Sequence, residues 1–332
     1  MNNQFDAKIQ KEPVLQQVLK EVGMAGQEAE SVRAKLMLRY DSLIPQIENY
    51  EKENKRKLIV YISKIGIPKG AITPDDIAPI GSMLTSGGEM DNLDLMIHGP
   101  GGSGVVAEKI VEMFRQYCKK EFRIIVPNMA KSAATLVALG ADKIVMGYCS
   151  KLGPIDAQRI INISGAAQQI SVQSFITARE NLLQDLHKAK SENKEYIGYL
   201  QQLASSTVEP AFIEECKREL KFSQDLVKKW LPQCMLKNKN PKWKQKKLKQ
   251  KAAIIAKNLS SADKRFSHGR MIGAQECESI GLNIEILKKD DILWNLLWEL
   301  YVRAEVFMMI NSKPQEPVAK LFMDNQNYLL SY

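Results

Sequence analysis

Two short turns hold the residues of this 332-residue chain best suited to chemistry. The first, His98-Gly-Pro-Gly-Gly-Ser-Gly104, separates an apolar run from an amphipathic one. Its glycines reach backbone conformations closed to other residues and leave amide N–H groups free to hold an anion or a developing oxyanion. The second, Met129-Ala-Lys-Ser-Ala-Ala-Thr135, places Ser132 at the expected start of a small-residue helix. Free amides and the helix dipole favour negative charge there. Together they describe a serine nucleophile facing an amide cradle, with Gly101 or Gly102 and Ala133 as oxyanion donors. In acyl-transfer sites such a donor contributes roughly 3–4 kcal/mol. The same serine also reads as an ordinary helix N-cap, and the spacing alone leaves both roles open.

The glycine turn admits a nucleotide reading too, because Gly99, Gly101 and Gly104 fit G-x-G-x-x-G between a strand and a helix. A dinucleotide site needs a carboxylate at the end of the next strand. That strand ends Val126-Pro-Asn128, and Pro100 interrupts the turn, so both features count against nucleotide binding.

The surrounding pattern predicts what positions these turns. Strands are expected at 58–62, 93–97, 123–126 and 143–146, with helices at 75–85, 104–117 and 132–140 between them. Strands alternating with helices through short links predict right-handed βαβ units and a mostly parallel sheet. An exposed helical arm interrupted near Pro45 precedes this block. From 172 to 264 the strand signals vanish into polar, lysine-rich helices with Pro210, Pro232 and Pro241 as boundaries, an insertion or a lid. A helix at 274–280, a strand at 283–287 and an apolar helix at 291–309 follow.

The net charge of +9 suggests an acidic partner until its distribution is examined. Eight lysines between Leu236 and Lys251 account for nearly all of it: Lys237, Lys239, Lys242, Lys244, Lys246, Lys247, Lys249 and Lys251. With Trp243 among them the run could follow a phosphate backbone, a nucleic-acid contact that is weighed against a solvated helix face or a lid. Five widely spaced cysteines without a C-x-x-C pair fit a reducing cytoplasm and offer no zinc site. No signal peptide or membrane span is read, and no cofactor or metal is expected.

Four motifs resemble the serine dehydrogenase proteinase family. They are Asp94-Leu-Met-Ile-His-Gly-Pro-Gly-Gly102, Ala130-Lys-Ser-Ala-Ala-Thr135 running on to Asp142, Leu152-Gly-Pro-Ile-Asp-Ala-Gln158, and His268-Gly-Arg-Met-Ile-Gly-Ala-Gln-Glu276 leading to Gly281-Leu282. The resemblance covers roughly 58–287 and belongs to the superfamily sharing the fold of the Clp protease proteolytic subunit, signal peptide peptidase A and crotonase. It implies an α/β, Clp/crotonase-like core of repeated ββα/βαβ units. The organisation expected is a helical arm (1–56), core (57–171), lysine-rich helical insert (172–265), closing core (266–289) and a helical C-terminal extension (290–332).

By the same resemblance Ser132 falls on the nucleophile, Gly101 and Gly102 on the oxyanion glycines, and Ala133 supplies the second amide. The base departs from the pattern, because no histidine or lysine stands where Clp-type or signal-peptidase-type enzymes keep theirs. Of the three histidines, His187 reads as a surface residue, and His98 as either a buried structural histidine or a base. His268 falls beside the superfamily's catalytic acid and is the preferred base, with Asp156 to orient it or simply to hold a turn. Lys151 is a further candidate, and Lys131 a peripheral charge. The expected function is a serine peptidase acting on peptides or unfolded protein as a homo-oligomer. The alternatives are an inactive scaffold or binding module that uses the basic insert, and crotonase-like acyl-CoA chemistry in the same amide cradle.

Overall fold

The computed structural model describes residues 31–155, 158–163, 166–192, 196–206, 210–260 and 271–332. Helix α1 (Ser31–Asn54) leads into strand β1 (Lys57–Ser63), followed by α2 (Ile77–Gly87) and β2 (Met90–His98). Next come α3 (Gly104–Tyr117), β3 (Cys118–Val126), β4 (Met129–Ala130), α4 (Ala133–Leu139), β5 (Lys143–Gly147) and β6 (Lys151–Leu152). A hairpin of β7 (Gln158–Ile163) and β8 (Ala166–Ser171) opens the insert. Its helices are α5 (Val172–Ser191), α6 (Ile197–Ser206), α7 (Pro210–Trp230), α8 (Met235–Lys239) and α9 (Gln245–Ser260). The chain closes with β9 (Ile272–Gly273), α10 (Ala274–Ser279), β10 (Ile284–Leu287), α11 (Ile292–Asn311), β11 (Lys320–Met323) and β12 (Tyr328–Ser331).

The main sheet has the order β10-β5-β3-β2-β1-β11-β12. Its first five strands run parallel, and β11 and β12 join antiparallel beside β1. Parallel strands are covered on both faces, which is why they read as continuous apolar runs rather than alternating ones. Side chains of successive residues divide between two cores. Ile59 and Tyr61, Leu95 and Ile97, and Ile124 and Val126 face helices α2, α3 and α4. Leu58, Val60, Met96 and Ile125 face α1 and α11.

Three expectations need correction. Helix α1 continues through Pro45 instead of breaking there, and its later half is packed rather than exposed. Pro45 removes one intrahelical bond. Leu43, Ile47 and Tyr50, fully buried at helical spacing, hold the turns on either side of it against the sheet. The C-terminal extension is not helical throughout, since β11 and β12 complete the sheet edge. The insert is not a detached lid in its second half, because Leu226, Trp230, Met235, Leu248, Ile255 and Leu259 belong to the main core.

The basic segment shows why the insert packs. Its lysines point outward from an apolar stripe, so α9 is an amphipathic helix of the core. Lys239 Nζ donates to the Leu282 carbonyl at 2.6 Å. The Lys247 ammonium lies 4.1 Å from the centre of the Trp243 ring, which itself packs against the core. One face of the Trp243 ring is thus covered by its own chain.

Candidate active site

The two turns identified from sequence are bound to each other by backbone. The Gly99 N–H donates to the Met129 carbonyl and the Lys131 N–H to the Gly99 carbonyl, each at 3.1 Å. This bridge carries the chain from β2 and the chain from β4 to one place at the carboxyl end of the sheet. Open parallel sheets commonly bind ligands in that location. Gly101 then passes directly behind the serine. A Cβ built on Gly101 would lie 2.7 Å from Ser132 Cβ and 2.9 Å from the Ala133 nitrogen. Gly101 has φ of +97° and Gly102 of +146°, so glycine is required both by conformation and, at Gly101, by the closeness of the serine.

Ser132 has φ of +48°, one of two non-glycine residues with positive φ among the described residues. A residue held in so sparsely populated a region costs of order 1–3 kcal/mol, and such strain concentrates at functional sites. The surroundings enforce it. The Ser132 amide donates to the Pro154 carbonyl at 3.0 Å, and its own carbonyl accepts from Leu136 at 3.0 Å. Its side chain makes no capping bond to α4, so the N-cap role considered from sequence is not the one it plays. The amides of Gly101, Gly102 and Ala133 donate to no other described residue. Sequence reasoning missed Thr135, whose buried hydroxyl spans the Ala130 carbonyl at 2.7 Å and the Gly153 carbonyl at 3.1 Å and so ties the strands beside the serine.

The candidate bases separate. His98 lies on the opposite face of the sheet, edge-on to Tyr301 at 5.2 Å. Its Nδ1 accepts from the Met129 amide at 3.3 Å, and its Nε2 faces Glu305 at 3.9 Å. Burial pushes its pKa down to about 4, only partly opposed by Glu305, so the ring is neutral and structurally engaged. Lys151 lines a groove of about 650 Å³ with Tyr148, Gly273, Glu276 and Lys288. Lys131 lies over Gly153, where a Cβ would fall 3.2 Å from Lys131 Cγ. His187 is on α5. His268 and Asp156 lie outside the described residues. No group of three His, Cys, Asp or Glu among the described residues is placed to hold a metal.

Asp94, part of the first motif, serves the fold. It accepts from Arg56 Nε at 2.7 Å, from Arg123 Nη2 at 2.8 Å and from the Tyr50 hydroxyl, fixing α1 to the sheet. A buried carboxylate needs such partners to offset its desolvation.

Residues 32–189 match the family model of the ClpP-like SDH-type serine proteinases. Two uncharacterised proteins of Methanocaldococcus jannaschii are similar over shorter stretches. One is 37% identical over 117 residues, 32% of this chain and 41% of that protein. The other is 30% identical over 132 residues, 37% of this chain and 45% of that protein. The chain thus spans less than half the length of the curated relatives it matches. Among solved structures, a membrane-bound stomatin-specific protease, 1510-N, aligns at 17% identity over 73% of this chain and 84% of its own, with a TM-score of 0.38. ClpP1 from Listeria monocytogenes aligns at 11% identity over 75% of this chain and 96% of its own, with a TM-score of 0.35. No described helix here is long and apolar enough to cross a membrane. Residues 32–189, just under half of this chain, are thus similar to the ClpP-like SDH-type serine proteinases.

Proposed function

We propose that the chain is a serine peptidase whose nucleophile is Ser132. The observation that supports this most is the packing of Gly101 against Ser132 and the Ala133 nitrogen, with the serine held at positive φ. Ser132 Oγ attacks the carbonyl carbon of a peptide bond, and the electron pair moves onto the carbonyl oxygen. The amides of Gly101 or Gly102 and of Ala133 stabilise that oxyanion, in an environment where fixed donors need no reorganisation. On collapse the amine leaves with a proton and the acyl group stays on Ser132 until water releases it. His268 is the proton carrier in this reading, with Asp156 orienting its second nitrogen.

The substrate class is peptides or unfolded protein segments, and the working form is an assembly of copies in the cytoplasm. All five cysteines are free, which fits a reducing compartment. Hydrolysis of a dye-quenched unfolded polypeptide tests the reading. Ser132→Ala is expected to lower turnover at least a thousandfold, in the range of ~10³ or more seen when a nucleophile is removed. Turnover that survives Ser132→Ala would refute it.

A further inference from the structure

Lys320 sits in the strand between β1 and the edge strand of the sheet, outside the family match, yet its surroundings lead back to the glycine turn. It begins β11 and pairs in register with Ser63 of β1. Its side chain is buried, at 2% exposure, and donates to Asp76 Oδ1 at 2.5 Å and to Thr73 Oγ1 at 3.2 Å. Asp76 is equally buried, and its other oxygen accepts from the Thr73 amide at 2.9 Å and from the Tyr61 hydroxyl at 2.7 Å. Burial, reinforced by the Asp76 charge, holds the Tyr61 hydroxyl well above its usual pKa, so it remains a donor.

Thr73 is adjacent to Ile72, and Ile72 grips the glycine turn by its backbone. The Ile72 N–H donates to the Gly101 carbonyl at 2.7 Å, and the Ile72 carbonyl accepts from the Ser103 N–H at 2.9 Å. A peptide unit is planar and trans, so its carbonyl and its N–H point in opposite directions. Pinning the Gly101 carbonyl onto Ile72 therefore turns the Gly102 N–H away from Ile72, to the open side of the turn. The second bond fixes the next peptide unit in the same manner. A Cβ on Gly102 would fall 2.4 Å from the Ile72 nitrogen, so the two segments are in direct contact.

A buried ion pair is weak as a source of stability, since desolvation offsets most of the attraction. Its specific consequence here is geometric. We propose that Lys320 is a positioning residue for the oxyanion turn: through Asp76 and Thr73 it fixes Ile72, and Ile72 sets the direction of the Gly102 amide. The C-terminal strand pair is then part of the catalytic support. This inference rests on the peptidase reading given above.

The test uses the full chain and compares wild type with Lys320→Met, Lys320→Arg and Tyr61→Phe. Steady-state kcat and KM are measured on a fluorogenic peptide, with kcat expressed per serine titrated to end-point by a fluorophosphonate. That normalisation removes any loss of folded protein, which is all a purely structural role would produce. Lys320→Met is expected to lower kcat per titrated serine by about 10–100-fold, the scale of a small misplacement in a catalytic site, with KM within about twofold. Lys320→Arg should recover most of that loss. Tyr61→Phe keeps the ion pair and should lower the same quantity by a few-fold, so it carries the test if Lys320→Met does not fold. Unchanged kcat per titrated serine in the foldable variants would overturn the positioning role. A wild type that neither labels nor turns over would instead refute the peptidase reading on which it rests.

Discussion

The glycine–serine pair of turns and the lysine-rich segment are the two most conspicuous stretches of the sequence, and the fold uses them in opposite ways. At the turns the backbone is what is unusual: Gly101, Gly102 and Ser132 all have positive φ, and three amides have no partner among the described residues. In the lysine segment α8 passes through a short turn at 240–244 into α9, and the α9 apolar stripe of Leu248, Ala252, Ile255 and Leu259 is consumed by the core. Lys239 and Lys247 are engaged with their own chain. Charge in a run is thus a weaker sign of a site than strain that the surroundings must maintain.

The sharpest break of this contrast comes at Gly101. Gly101→Ala would force a Cβ to within 2.5 Å of the Lys131 carbonyl oxygen and 2.7 Å of Ser132 Cβ. Loss of a productive oxyanion geometry is expected to lower kcat/KM by at least about a hundredfold, measured on the fluorogenic peptide. In the lysine segment the sensitive position is Leu248, which is 2% exposed. Leu248→Ala should destabilise the chain by about 2–5 kcal/mol in urea unfolding while leaving kcat per titrated serine unchanged.

His98 gives a pH signature. Its pKa in the folded chain is about 4, below the usual 6.5, so the unfolded state binds the extra proton between those values. Its contribution is complete above pH 6.5 and is lost as pH falls toward 4, a change of roughly 3 kcal/mol. His98→Gln should flatten that part of the stability profile, as read by denaturation between pH 4 and 7. A smaller effect, of opposite sign, is expected at Ser132. Ser132→Gly relieves the positive φ and should stabilise by about 1 kcal/mol while removing activity. Smallest of all, replacing the exposed Lys244, Lys246 and Lys249 by Gln should shift stability by less than about 0.5 kcal/mol. Peptidase activity should not change either.

How much of this was legible in sequence follows from the range of the interactions involved. The parallel strands were readable because each is a run of apolar residues buried on both faces, such as Leu58 to Ile62. The hairpin of β7 and β8 was not, because its residues are largely glutamine, asparagine and alanine mixed with isoleucine, without strict alternation. Strands β11 and β12 are four residues each, too short to show a period, and they are fixed by pairing with a distant β1. Pro45 misled because local propensity was overridden by the packing of Leu43, Ile47 and Tyr50. At the candidate site, the unusual backbone of the glycine turn was readable because glycine's conformational freedom is local chemistry. Ile72 and Lys320 were not: Lys320 meets Asp76 across 244 residues, and nothing in either stretch announces the other.

The central claim is that Ser132 is a nucleophile facing the Gly101–Gly102 and Ala133 amides. Its most direct test is mass-spectrometric mapping of the protein after reaction with a fluorophosphonate. The account predicts a single phosphonylated residue at Ser132, absent in Gly101→Ala as well as in Ser132→Ala. An adduct on another residue, or labelling that persists in Ser132→Ala, would contradict it.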